Sequence, residues 1–154
     1  FEVVFQIGQT YMEIGAFEKA RSYLTAATRT NSRSGPAMVS LGACLDKLGL
    51  TKEAIQAYKH AVKINPHDAA SLSMLGRLYT QRGESLDVAV VLCEQSIQLS
   101  PDNGRFRHRL GRIYLKQGQL DRALAAFERA AALGHDSQKQ IEETQARMTA
   151  AKAC

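Results

Sequence analysis

The sequence predicts an all-α fold, a solenoid of four tandem helical hairpins closed by one further helix. Three observations carry this expectation. First, the chain repeats itself. Leu110-Gly111, Tyr114, Gly118, Leu120, Ala123, Phe127 and Ala130 are echoed by Leu75-Gly76, Tyr79, Gly83, Leu86 and Ala89. Two further copies are Leu41-Gly42, Gly49, Ala54, Tyr58 and Ala61, and Ile7-Gly8, Tyr11, Gly15, Phe17, Ala20, Leu24 and Ala27. Copies starting at residues 1, 35, 69 and 104 are spaced by 34, 34 and 35, and a fixed period in this range marks stacked supersecondary units. Second, each copy holds two runs with helical apolar spacing, parted by a glycine. Third, 45% hydrophobic and 23% charged residues in a chain of 154 suit one continuous packed core.

The physics of one unit follows from its residues. Residues 104–117 and 120–132 read as two short helices broken at Gly118, which can take the left-handed conformation that a helix stop needs. Gly111, Ala123 and Ala130 are small enough for the paired helices to approach closely. Leu110, Tyr114, Leu120 and Phe127 then fill the space between them and toward the next unit. One such hairpin cannot bury its apolar face alone, so stability comes from stacked neighbours.

Taken in order, the first unit opens with Phe1 already inside a helical pattern and no capping residue before it. Val4, Ile7 and Tyr11 share a stripe, with Phe1 and Phe5 beside it. This start suggests a segment of a longer protein, whose apolar end could pair with a second copy. A second helix spans 17–30, and Ser32 to Pro36 form the turn after it. Helices over 36–48 and 51–64 follow, the latter ending at Asn65-Pro66. Asp68 is placed to cap a helix over 69–82. Gly83-Glu84-Ser85 holds the extra residue of the 35-residue step, and the helix over 86–99 stops at Ser100-Pro101. In the fourth unit Arg107 stands where Val4, Met38 and Leu72 sit in the others, with Phe106 beside it to supply the apolar contact. Repeats of about 1–34, 35–68, 69–103 and 104–136 thus precede a helix over 137–152. There Ser137 and Gln140 suggest a capping box, and Ile141, Gln145 and Met148 form a weakly apolar face suited to an end cap.

This pattern resembles the tetratricopeptide repeat across almost the whole chain. The resemblance implies a single domain, a right-handed superhelix of antiparallel helix pairs, with the first helix of each pair lining a concave groove for a peptide or partner helix. The groove floor would then include Phe5 and Gln9 in the first repeat, Val39 and Ala43 in the second, and Met74 and Arg77 in the third. The fourth would add Arg105, His108, Arg109, Arg112 and Lys116. Chaperone-binding members clamp a terminal carboxylate with two basic residues four apart and polar partners on earlier helices. Arg105 and Arg109 resemble the basic pair, but Val39, Ala43 and Met74 at the earlier places cannot supply the rest.

The fourth-repeat cations recur at helical spacings of three and four, so most share one face. Arginine's planar fork suits carboxylate or phosphate. The expected ligand is therefore a protein or peptide segment, acidic toward the Arg105/Arg109/Arg112 end. Nucleic acid is the rival, given a net charge of +5, a pI near 9.3 and the run Arg105-Phe106-Arg107-His108-Arg109. Pentatricopeptide proteins, which read RNA, lack the glycine that recurs here as Gly8, Gly42, Gly76 and Gly111, and one basic repeat is short for phosphate tracking.

Nothing in the chain reads as catalytic. His60, His67, His108 and His135 are scattered, and no nucleophilic set, phosphate loop or metal-ligand spacing is found. The reading is a non-catalytic scaffold with no cofactor and no metal. Cys44, Cys93 and Cys154 are odd in number and form no CxxC. Cys93 takes the place of Tyr58 and Phe127, as a small core residue. With no apolar run of membrane-spanning length and no signal-peptide pattern, the expectation is an intracellular, cytoplasmic protein without membrane insertion.

Overall fold

The structure, a computed structural model, describes residues 1–154. It is all helix: α1 (Glu2–Glu13), α2 (Phe17–Thr30), α3 (Gly35–Lys47), α4 (Thr51–Ile64), α5 (Ala69–Arg82), α6 (Leu86–Leu99), α7 (Gly104–Lys116), α8 (Leu120–Ala132) and α9 (Gln138–Lys152). The hairpins expected from the repeats are present, and each helix begins and ends within about a residue of the expected bounds. The packing gathers into two compact units, Phe1–Ser71 and Leu72–Cys154.

In the first unit, α1 pairs with α2 and α3 with α4, and α2 stacks on α3. The pairing is close because the facing residue is glycine. A Cβ at Gly8 would lie 2.8 Å from Leu24, and one at Gly42 would lie 2.9 Å from Tyr58. The core is Phe5, Ala20, Leu24, Ala27, Ala37 and Cys44, with Phe1, Val4 and Tyr11 packed at its edge. Phe1 stacks on Phe5 at 5.6 Å, so the uncapped start folds its aromatics over the first hairpin. The Cys44 thiol donates to the Phe17 carbonyl at 3.1 Å, tying α3 to α2. Ser34 caps α3 by accepting from the Ala37 N–H at 3.2 Å. Asp68 caps α5 as expected, accepting from the N–H groups of Ala70 and Ser71 at 3.1 and 3.3 Å.

In the second unit, α7 and α8 pair, α6 stacks on α7 and α9 on α8. A Cβ at Gly111 would lie 2.7 Å from Phe127 Cε1, and one at Gly76 would lie 2.6 Å from Cys93 Sγ. Cys93 is fully buried with Ala89 and Ile113. Its thiol is pushed up to about 12 by burial, which makes it an inert core residue. Gly83 keeps the left-handed turn seen after the other first helices, and the added residue shows itself at Ser85, the one non-glycine residue with positive φ, 52°.

Two local expectations are settled here. Phe106 is buried, while Arg107 turns outward and donates to the Pro101 carbonyl at 3.4 Å. Phe106 thus supplies the apolar contact, and α7 starts at Gly104 under an Asn103 cap. The Ser137/Gln140 capping box does not form. Ser137 is buried, and its hydroxyl is instead 2.8 Å from His108 Nδ1 on α7. Burial against α7 turns the hydroxyl away from its own helix, and Asp136 takes the Gln138 N–H at 3.3 Å.

Candidate functional site: a basic cavity in the second unit

Helix α7 has two faces. Phe106, Gly111, Ile113 and Tyr114 are buried, which leaves Arg105, Arg109, Arg112 and Lys116 on the side away from the core. With Arg77, Thr80 and Gln81 of α5, His108 and Leu115 of α7, and Arg147 of α9, they line a cavity of about 630 Å³. Six of its ten lining residues are arginine or lysine, and none is a carboxylate. Several side chains are held in place. Arg109 donates to the Ser73 hydroxyl at 2.7 Å, and Arg77 reaches Gln81 Oε1 at 3.3 Å. Arg147 is held by Glu143 one turn earlier on α9, at 2.9 Å.

His108 sits at the edge of this cavity and behaves differently from its neighbours. Its pKa is lowered from 6.5 to about 4, first by burial and then by the adjacent His135, Arg112 and Arg109, with Asp136 opposing. The ring lies 5.3 Å from Phe127 and 4.7 Å from His135, centroid to centroid. At neutral pH it is an uncharged strut between α7 and the start of α9, and the cavity's positive charge belongs to arginine and lysine.

The structure therefore brings together Arg77, Arg105, His108, Arg109, Arg112 and Lys116. Met74 is half-buried on α5 and does not line the cavity. Phe5 and Gln9 lie on α1 in the first unit. Phe5, expected on a groove floor, is part of the core there, because its ring is needed between Phe1 and the α2 stripe; Gln9 is exposed. Sequence reasoning missed Arg147. It falls three residues after the buried Thr144 on a helix read only as an end cap, and no motif marks it.

Such a set of guanidinium groups around one cavity can bind carboxylates or phosphates through paired N–H donors. No cluster of His, Cys, Asp and Glu could hold a metal ion. No helix is long and apolar enough to cross a membrane.

Comparison with known proteins places the repeats. Two family models, each described as a tetratricopeptide repeat, match residues 5–69 and 84–148. The chain belongs to the tetratricopeptide-repeat family. Among curated relatives, BBSome complex member BBS4 of Bos taurus is 25% identical over 118 residues, which is 77% of this chain but 22% of that protein. Protein CTR9 homolog of Arabidopsis thaliana is 27% identical over 133 residues, 84% of this chain and 12% of that protein. The tetratricopeptide-repeat chain thus spans about a fifth or less of the length of these relatives. Among solved structures, a crystal structure of MamA is 27% identical with a TM-score of 0.80, covering 95% of this chain and 80% of that one. MamA from Desulfovibrio magneticus RS-1 is 20% identical with a TM-score of 0.88, covering 99% and 87%, and shows the shared fold. The tetratricopeptide-repeat family is one of generally non-catalytic protein–protein interaction modules.

Proposed function

We propose that the basic cavity of the second unit is where this scaffold takes an acidic segment of a partner protein. The observation that carries the proposal is the cavity itself: six of its ten lining residues, from α5, α7 and α9, are arginine or lysine. A concave wall of one charge focuses its field on an oppositely charged ligand. Arg105, Arg112 and Lys116 are exposed, so they can close on a ligand without leaving the core. The unpaired cysteines, with Cys44 and Cys93 buried, support a reducing, intracellular setting.

The test is fluorescence anisotropy with a labelled peptide of about a dozen residues rich in Asp and Glu, a lysine-rich counterpart, and an oligouridylate of similar length. The acidic peptide should bind and the basic one should not. The pair Arg105→Ser and Arg112→Ser should weaken binding roughly tenfold or more, as loss of charge-assisted bonds requires. Binding of the oligouridylate in preference to the acidic peptide, with a steep salt dependence, would replace this reading with nucleic-acid binding. Acidic-peptide binding indifferent to the double substitution would move the site elsewhere.

A further inference from the structure

The cations of the basic cavity are ordered as well as numerous. At about 3.6 residues per turn, Arg105, Arg109, Arg112 and Lys116 fall within about 60° of one another around α7. They make a straight stripe about 16 Å long, from the helical rise of about 1.5 Å per residue. Neighbours along it are three or four residues apart, which puts their Cβ atoms about 5–6 Å from each other. Its middle is anchored and its flanks can move. Arg109 is half-buried and donates to the Ser73 hydroxyl at 2.7 Å, whereas Arg105, one turn before it, and Arg112, one turn after it, are exposed. The fields of two of these guanidinium groups overlap at one point of the wall. After burial and His135, it is Arg112 and Arg109 that hold down the pKa of the His108 ring.

That spacing separates two kinds of anion. A carboxylate is planar and has two oxygens, which a single guanidinium fork satisfies. A phosphate monoester is tetrahedral, carries nearly two charges at neutral pH and offers three acceptor oxygens. Two forks one turn apart can therefore grip it from opposite sides. The rest of the wall favours charge over apolar anchoring, since Leu115 is the one apolar side chain among the ten that line the cavity. Exposed pairs of single charges are each weak, so a segment bearing only carboxylates gains little from each contact here.

We propose that the Arg105–Arg109–Arg112 stretch of the cavity is a phosphate seat, which takes a phosphorylated serine or threonine of the partner segment. The seat lies within the site proposed above for an acidic segment and rests on that reading. Arg109 forms its fixed floor, and Arg105 and Arg112 close on the phosphate from either side. Phosphorylation of the partner then switches its binding on.

The test is fluorescence anisotropy with one labelled peptide of about a dozen residues, carrying flanking glutamates and Ser, Glu or phosphoserine at its centre. The phosphoserine peptide should bind roughly tenfold or more tightly than the glutamate peptide, and the serine peptide more weakly than either. Combining Arg105→Lys with Arg112→Lys keeps the charge and removes the forks. The preference for phosphoserine should then fall to about threefold or less, with the glutamate peptide little affected. Both positions are exposed, so thermal melts of the free variant should match the wild type. Equal binding of the glutamate and phosphoserine peptides would overturn the phosphate seat and leave the acidic-segment reading standing. Binding of neither would overturn both. A phosphoserine preference untouched by the double substitution would also overturn the seat, because the phosphate would then be held elsewhere. So would an oligouridylate that displaces the phosphoserine peptide at lower concentration than the unlabelled peptide does, since the seat would then belong to nucleic-acid phosphate.

Discussion

At Gly111 one methyl group decides how closely α7 and α8 can lie. A Cβ there would meet the Phe127 ring at 2.7 Å, inside any real contact, so Gly111→Ala should cost about 1–3 kcal/mol in urea unfolding through overpacking. Gly118 is the instructive contrast. Nothing lies within 4 Å of its absent side chain, but its φ is +74°, so Gly118→Ala should cost only the left-handed penalty of about 1–2 kcal/mol. Ser85 already bears such a penalty at φ 52° without a side-chain capping bond in return, and Ser85→Gly should stabilise the fold by about 1 kcal/mol. His108 gives a pH dependence whose sign is fixed. Its folded value of about 4 lies below the ordinary 6.5, so the unfolded chain takes up the proton first. Stability is fully present above about pH 6.5 and drains away as pH falls toward about 4. Urea midpoints across that window should fall more steeply for the wild type than for His108→Asn.

Each helix is bounded by devices that act within a few residues, and this is why the elements were legible in the sequence. The glycine that closes each first helix, Asp68 ahead of α5 and the small–large alternation of α7 and α8 are all local signals with a fixed period. Asp68→Ala should cost about 1 kcal/mol by removing the cap, a loss that thermal unfolding would register. What sequence could not show is any device joining elements far apart in the chain. Ser137 reads locally as a cap, yet its hydroxyl goes to His108, 29 residues earlier. Arg147 pairs with Glu143 one turn earlier, yet it also walls the basic cavity beside residues of α5 and α7. The face of α7 that bears the cations was legible because helical spacing alone places them; the contribution of α9 was not, because it depends on how α9 lies on α8.

Within each unit a second helix is covered by the helix that follows it, α2 by α3 and α6 by α7, and α9 does this for α8. Ile141 packs against the Tyr114–Ala123–Phe127 cluster and Thr144 is fully buried. A chain lacking residues 137–154 should therefore bind the dye ANS, melt at lower temperature and tend to aggregate, as an uncapped repeat array does. The division of the packing at Ser71–Leu72 had no counterpart in the sequence pattern, since the repeat passes through it without a change of period. The two faces of α7 have one more consequence. Along its 13 residues, those that assemble the stack (Phe106, Gly111, Ile113, Tyr114) and those that meet the cavity (Arg105, Arg112, Lys116) interleave without coinciding. Mutation and selection can thus rewrite the second set while the first is held constant. A duplicated copy of this protein has a short evolutionary path to a new clientele, because changing what it recognises does not require relearning how to fold.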